Sequence, residues 1–135
     1  MDDRQQIVDV LSRLTTILDG RRWEALPEVF TVDAEAYGAS GIDAVETLVR
    51  GFLGGCGPSQ HLLGNHLVDV DGDRARSVTK IRVMHQGAAE RSHQTYECLG
   101  DYHDEFVRTA DGWRIAGRRF EVSMAFGDPD VLQPG

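Results

Sequence analysis

The fold of this chain is decided by residues 60–87, "QHLLGNHLVDVDGDRARSVTKIRVMHQG". Two strand-like runs flank the turn Asp71–Asp73, and Asp-Gly between two such runs is a strong β-hairpin signal. On the returning run Ile81 and Val83 share one face, and counting on by two places His85 on that same face. A histidine that ends an apolar strand face is either a core residue with a satisfied hydrogen bond or a base at the bottom of a pocket.

A second hairpin is predicted nearer the C-terminus, where residues 93–109 and 112–127 flank another Asp-Gly turn. Strands of this length usually bend. Gly64, Gly100 and Gly117 are the candidate positions for a bend or a bulge, because glycine marks such points within strands. We therefore expect a curved antiparallel sheet.

Helical segments precede these strands. The spacing of apolar residues predicts a helix over residues 3–18 and another over residues 42–53, with a short helix around Trp23 and a brief strand over residues 34–38 between them. Helices followed by an antiparallel sheet indicate an α+β fold. Helices packed into a bent sheet would give a cone-shaped α+β barrel around a cavity, which is a natural site for a small molecule.

Length and composition predict a single domain over residues 1–135 that ends in a loose tail over residues 127–135. The chain is acidic, with a formal net charge of −8, and it has no Lys/Arg cluster, so we expect no nucleic-acid partner. No apolar run is long enough to cross a bilayer, and the polar start is unlike a secretory signal. We expect a cytoplasmic protein whose Cys56 and Cys98 are free thiols.

The outer face of the predicted sheet needs cover. Trp113 and Ile115 are assigned to that face, and large apolar side chains there would be covered by a second subunit. We therefore expect a homo-oligomer.

Four polar residues end a helix or share a strand face with apolar residues: Asp19, His61, His85 and Arg118. Taken singly, each has an ordinary structural explanation, such as solvation, a satisfied core histidine or an arginine stem that covers apolar surface. Together they suit catalysis, because a carboxylate that holds one imidazole nitrogen sets the tautomer of the ring and the basicity of the other nitrogen. The set favours abstraction of a proton next to a carbonyl, followed by elimination or isomerisation.

The strand pattern also assigns faces to these residues. His61 is predicted to share its face with Leu63 and Leu67, and Arg118 is predicted in register with Phe120, which makes Phe120 a candidate for binding substrate.

Further substrate-binding candidates are Tyr37 on the short strand, Trp23 and, if Gly100 shifts the register, His103. His66 is expected to face solvent. Two histidines and a carboxylate could also bind a metal, but their spacing matches no known metal motif, so we expect neither a metal nor another cofactor.

The order of elements resembles the SnoaL-like branch of the nuclear transport factor 2-like superfamily over roughly residues 3–126. Three short motifs within it resemble the scytalone dehydratases: "LDGRRWEAL" at 18–26, "PSQHLLGN" at 58–65 and "IRVMHQ" at 81–86. The likeness implies that Asp19 is the dyad aspartate and that His61 and His85 are the catalytic histidines.

The hexachlorocyclohexane dehydrochlorinases are similar too, and "GWRIAGR" at 112–118 supplies the corresponding arginine, Arg118. By the same likeness Tyr37 lies near a tyrosine that holds a water on the substrate carbonyl. Leu18 replaces an expected tyrosine, and His103 aligns approximately with an expected asparagine. Both families perform eliminations as trimers, so the resemblance favours a trimer, with a dimer as the alternative.

The resulting hypothesis is a cofactor-independent lyase that acts on a small, mostly apolar hydroxy-carbonyl compound such as a polyketide-like metabolite. Asp19 would orient and charge His61, His61 and His85 would act as base and acid, and Arg118 would anchor an oxygen or the leaving group. A SnoaL-like cyclase or isomerase using the same pocket is one alternative. A non-catalytic binding or assembly module is the other, since fold alone does not give function.

Overall fold

The computed structural model describes residues 2–135. Its helices and strands are α1 (Asp3–Asp19), β1 (Phe30–Ala36), β2 (Ala39–Ser40), α2 (Ile42–Leu53), β3 (Ser59–Asp71), β4 (Arg74–Gln86), β5 (Thr95–Thr109) and β6 (Gly112–Gly127). Short 3₁₀ helices cover Trp23–Glu28, Ala89–Arg91 and Pro129–Val131. No helix in the described part of the chain is long and apolar enough to span a membrane.

The first helix is set by its cap and its apolar stripe. The Asp2 carboxylate accepts a hydrogen bond from the backbone N–H of Gln5, which satisfies a donor that the first turn leaves free. Ile7, Leu11 and Leu14 recur at helical spacing and are fully buried. The helix therefore lies with this stripe against the sheet and ends at the site described below.

The six strands form one curved sheet in the order β2-β1-β6-β5-β4-β3, which leaves β2 and β3 as its edges. The predicted α+β architecture, with helices packed into a bent sheet, is confirmed. The sheet is mixed rather than purely antiparallel, because β1 pairs with β6 in parallel. A parallel neighbour needs a long connection, and its partner cannot be read from local sequence.

The long strands bend where the register shifts, at Gly64/Leu67, Leu99/Gly100 and Glu105/Phe106, the last opposite Gly117. All three predicted glycines therefore lie at irregularities. At Gly100 the cause is close packing, since a Cβ there would lie 2.0 Å from the backbone oxygen of Glu121.

The bulge in β3 corrects two predictions about side-chain direction. Asn65 takes φ = 53° within the bulge, and Leu67 beyond it is 73% exposed instead of sharing the face of His61 and Leu63. His66 is half-buried, with Nδ1 at 3.1 Å from the hydroxyl of Thr79, rather than free in solvent. One inserted residue reverses every face assignment beyond it.

The main core lies between α1, α2 and the inner face of the sheet. Trp113 and Ile115 belong to this core and are 1% and 0% exposed, so the assignment of these two residues to the outer face was wrong. The Trp113 indole N–H donates to the Asp3 carboxylate at 3.1 Å, and Arg108 stacks on its ring. The side chains exposed on the opposite face of the sheet are others, including Leu62, Met84, Met124 and Phe126.

The C-terminal residues are docked, contrary to the expectation of a loose tail. Val131 is 1% exposed, and Leu132 packs against the core. The backbone N–H of Gln133 donates to Phe52, and the carbonyl of Gln133 accepts from Gly55. The sequence of this stretch is rich in Pro, Gly and Asp, which is typical of a loose terminus. Its docking depends on one buried valine and on backbone hydrogen bonds, which a sequence pattern does not reveal.

Candidate active site

The site begins where α1 ends. Asp19 is the last residue of the helix, and its Oδ1 lies 2.6 Å from Nδ1 of His61 at the start of β3. Its Oδ2 accepts the backbone N–H of His61 at 2.9 Å. Ser59 donates its hydroxyl to Oδ1 at 2.8 Å. The carboxylate thus grips His61 at both its ring and its backbone, which fixes the position and direction of the imidazole.

The environment of Asp19 keeps it ionised. Burial raises the pKa of the Asp19 carboxyl, but the hydrogen bonds from the ring and backbone of His61 and from Ser59 outweigh burial, so the net pKa is lowered. An ionised carboxylate can only accept, so Nδ1 of His61 carries a proton, and in the neutral ring Nε2 is the nitrogen left to accept. The His61 side chain is 6% exposed, so this basic nitrogen is held in a nearly dry site.

His85 at the end of β4 forms the opposite wall and is 4% exposed. Its Nδ1 lies 2.8 Å from the backbone carbonyl of Tyr96, which can only accept, so Nδ1 carries the proton and Nε2 is bare here as well. The His85 ring stacks on Tyr96 and meets the His61 ring edge-on, with centroids 6.3 Å apart.

The protonation state of His85 follows from its burial. Burial lowers the pKa of the His85 imidazole, the carbonyl of Tyr96 raises it in part, and the neighbouring His61 ring and Arg21 cation lower it further. His85 is therefore neutral at pH 7. The structure brings together two imidazoles whose Nδ1 atoms are both engaged, one by the Asp19 carboxylate and the other by the Tyr96 carbonyl.

Arg118 is also buried, but it is already paired. Its Nε and Nη2 donate to the two carboxylate oxygens of Asp104 at 2.7 and 3.0 Å, and these side chains are 1% and 0% exposed. Burial alone would lower the pKa of Arg118, but the charge of Asp104 and the nearby phenols outweigh burial and raise it. The guanidinium lies 3.7 Å over the ring of Tyr102, and its Nη1 is 3.3 Å from the hydroxyl of Tyr37.

This pairing changes what Arg118 can do. Its charge is neutralised by Asp104, so it has no free fork for a substrate anion. Because a guanidinium only donates, the Tyr37 oxygen accepts from Arg118 and its own proton is free to point elsewhere. Tyr37 is thereby a donor polarised by a cation.

Of the other predicted substrate-binding residues, Phe120 lies in the cavity, whereas Trp23 and His103 do not point into it. Phe120 lies on the inner face and packs against Tyr102 at 4.8 Å between ring centroids. Trp23 packs against the main core and does not line the cavity. His103 alternates with the buried Tyr102 and Asp104, so it projects from the opposite face of β5.

On that opposite face His103 lies beside Asp101 and Glu121, with ligand atoms that all fall within 4.8 Å. These three side chains could hold a metal ion. Both carboxylates already have cationic partners, since Lys80 binds Asp101 at 2.8 Å and Arg119 binds Glu121 at 2.9 Å.

The cavity between the histidine pair and Arg118 is mostly apolar. The apolar residues that line it come from the helices, the sheet and the C-terminal segment and include Leu18, Val49, Phe52, Leu53, Val83, Cys98, Tyr102, Phe120, Val122 and Leu132. Burial of this kind strengthens hydrogen bonds and charges inside the site, because water competes less for them.

Four residues of the site were not singled out in the sequence: Ser59, Tyr96, Asp104 and Arg21. Asp104 carried a usable signal, because it alternates with Tyr102 and Phe106 along β5 and so shares their buried face. A carboxylate on a buried face needs a cationic partner. Ser59, Tyr96 and Arg21 act through backbone atoms or through a neighbouring side chain. No pattern of side chains in the sequence predicts such contacts.

Comparison with known proteins identifies the family of this chain. Residues 1–119 match the family model of the SnoaL-like domain. The chain belongs to the SnoaL-like family. Among curated relatives, the uncharacterized protein Rv2910c of Mycobacterium tuberculosis is 36% identical over 124 residues, which cover 87% of this SnoaL-like chain and 84% of that protein.

Solved structures show the same fold. The Kfla4162 protein of Kribbella flavida superposes with a TM-score of 0.86 at 24% identity, covering 96% of this chain and 95% of that one. A proposed scytalone dehydratase of Novosphingobium aromaticivorans gives 0.84 at 22% identity, with 97% and 91% covered. A type 2 hexachlorocyclohexane dehydrochlorinase gives 0.80 at 17% identity, with 93% and 88% covered. Two of these structural neighbours of the SnoaL-like protein are therefore named as lyases, one a dehydratase and the other a dehydrochlorinase.

Proposed function

We propose that this SnoaL-like protein is a cofactor-independent lyase that removes water from a small, uncharged β-hydroxy-carbonyl compound. The observation that carries the proposal is the 2.6 Å contact between Asp19 and Nδ1 of His61, with the neutral His85 ring facing it in a nearly dry cavity. This pairing turns His61 Nε2 into an oriented base, which is what abstraction of a carbon-bound proton requires.

The elimination would begin at His61. Its Nε2 takes the proton from the carbon between the carbonyl and the carbinol, and Asp19 stabilises the imidazolium that forms. The electron pair of the broken C–H bond moves to form the new C=C bond as the C–O bond breaks. The imidazolium returns its proton to the departing hydroxide, so water and an unsaturated carbonyl compound leave and His61 is restored.

His85 would hold the leaving group. Because burial lowers the pKa of His85, it enters neutral, and its bare Nε2 can accept a hydrogen bond from the substrate hydroxyl. In this proposal the substrate hydroxyl would lie between the two imidazoles. His85 is therefore assigned as the residue that orients the hydroxyl and accepts its hydrogen bond, whereas the sequence suggested the general acid.

Tyr37 would bind the carbonyl oxygen. Its proton is free because its oxygen accepts from Arg118, and a donor aimed at a developing enolate oxygen lowers the barrier. Arg118 acts behind Tyr37 and is neutralised by Asp104. Asp104 neutralises Arg118, and the Arg21 cation lies beside the ionised Asp19 with its donors taken up by Leu18, Ser59 and Gly57, so we assign an uncharged substrate.

The experiment is a screen of β-hydroxy ketones, followed by absorbance of the conjugated product and by mass spectrometry. A loss of 18 mass units, the mass of one water, identifies the lyase, whereas a product of unchanged mass identifies the cyclase or isomerase alternative. His61→Ala should lower kcat/KM by about 10²–10⁴-fold. His93→Ala is the matched control, since His93 is exposed. Equal rates for both variants on a confirmed substrate would exclude the mechanism.

The non-catalytic alternative does not explain the arrangement of the two histidines. A binding module has no need of a carboxylate-backed imidazole whose second nitrogen is left bare. The near-complete burial of both histidine side chains favours the enzyme over that alternative.

A further inference from the structure

Arg21 occupies an unusual position next to the proposed base. It follows Gly20 at the end of α1 and takes φ = 56°, in the left-handed region that non-glycine residues seldom adopt. This conformation turns its guanidinium back toward the site. Nη1 donates to the Leu18 carbonyl at 2.7 Å and to the Ser59 hydroxyl at 2.9 Å, and Nη2 donates to the Gly57 carbonyl at 2.7 Å.

The direction of these hydrogen bonds is fixed by chemistry. A guanidinium has donors only, so the Ser59 oxygen accepts from Arg21. Ser59 has a single proton, and the remaining partner within reach is Oδ1 of Asp19 at 2.8 Å. The hydroxyl proton therefore points to the carboxylate, and both carboxylate oxygens are engaged, Oδ1 by Ser59 and the His61 ring and Oδ2 by the His61 backbone N–H.

We infer that Arg21, acting through Ser59, is a positioning residue that holds the Asp19 carboxylate in the orientation that fixes the tautomer of His61. The inference rests on the proposed function only in giving His61 the role of base. The chain of contacts itself runs from the connection after α1, across the start of β3, to the ring of His61, and each link is 2.6–2.9 Å.

The neighbouring residue shows that position, not charge alone, matters. Arg22 carries the same charge one residue later, but it is exposed, and its ion-pair partner is Glu24 at 3.8 Å. The titratable groups around the contacts that link Arg21, Ser59 and Asp19 are Asp19 on α1, His61 on β3, His85 on β4 and the Cys56 thiol. Burial raises the pKa of the Cys56 thiol. The cation of Arg21 also lowers the pKa of His85.

The test is ¹⁵N NMR of the histidine rings in the substrate-free protein, comparing Arg21→Gln, Arg21→Lys and Ser59→Ala with the control Arg22→Gln. We expect wild type and Arg22→Gln to show His61 with the proton on Nδ1 alone. Arg21→Gln and Ser59→Ala should show the opposite tautomer in an observable fraction, because the carboxylate can rotate. Arg21→Lys should restore part of the wild-type signal, and the pKa of His85 should rise in Arg21→Gln but not in Arg21→Lys.

A merely structural role would lower thermal stability without moving these signals. If His61 keeps one tautomer in Ser59→Ala and in whichever Arg21 variants fold, the inference is wrong. Once a substrate is confirmed, Arg21→Gln should lower kcat by about 10- to 100-fold with little change in KM. The two proposals fail separately: a shifted tautomer in a protein with no lyase activity would refute the function and keep the positioning role.

Discussion

The buried ion pair between Arg118 and Asp104 gives the sharpest test of the energetics. Asp104→Asn removes the counter-charge and leaves a guanidinium that is 1% exposed without a carboxylate. Removing one partner of a buried pair costs about 3–5 kcal/mol, because the remaining charge stays desolvated. With an m-value of roughly 2 kcal/mol per molar urea, the midpoint of unfolding should fall by roughly 2 M.

A matched control exists on the outer face of the sheet. Arg82 Nε and Glu97 also approach to 2.7 Å, but the Arg82 side chain is 61% exposed. Glu97→Gln should therefore cost only about 0–1 kcal/mol, since exposed pairs gain little. The assay is urea unfolding followed by circular dichroism for both variants.

The double variant Asp104→Leu/Arg118→Met separates charge from packing. It removes both charges and keeps apolar volume, so we expect it to unfold at a higher urea concentration than Asp104→Asn. The reasoning is refuted if Asp104→Asn costs no more than Glu97→Gln, or if the double variant is the least stable of the three.

Three further outcomes are expected. The free energy of unfolding should fall as the pH drops below about 6.5, because the folded-state pKa of His85 is lowered and the unfolded chain takes up that proton first. It should fall again near and below about pH 4 as Asp19, whose folded-state pKa is also lowered, becomes protonated. Urea unfolding between about pH 3 and 8 measures both steps. Val131→Ala should cost about 1–3 kcal/mol and speed proteolysis of the C-terminal residues, whereas a tail that is not docked would show no change. The homo-oligomer stays a prediction, and light scattering should give a multiple of the 14.9 kDa chain mass, a trimer by the family resemblance; a mass of one chain would contradict it.

Local sequence was sufficient for α1, α2 and the two long hairpins, whereas β2 was not predicted and β1 begins at Phe30 rather than at residue 34. The apolar stripe of α1 and α2 and the Asp-Gly turns of both hairpins are features of a few adjacent residues, and they predict helix and strand correctly because the free energies involved are local. The three candidate residues Asp19, His61 and His85 also came from short motifs, each at the end of an element. The structure brings these three together, and their catalytic roles remain predictions.

Other features depended on contacts between distant parts of the chain. The bulge in β3 reverses the face of Leu67, whereas β5 pairs with β4 without a shift and His103 keeps the face opposite Tyr102. The partner of Arg118 could be found only once β5 and β6 were placed side by side, because Asp104 is its cross-strand neighbour.

Sequence alone was enough to predict α1, α2, the two hairpins and the residues able to do acid–base chemistry. Three features became visible only in the folded chain: β1 pairs with β6 in parallel, the C-terminal residues dock, and Asp104 takes up the charge of Arg118. The physical reason is that periodicity and turn preference act over a few residues, whereas pairing, burial and charge neutralisation depend on which distant groups meet. The free energy of those contacts depends on both partners and cannot be inferred from the local sequence of either one.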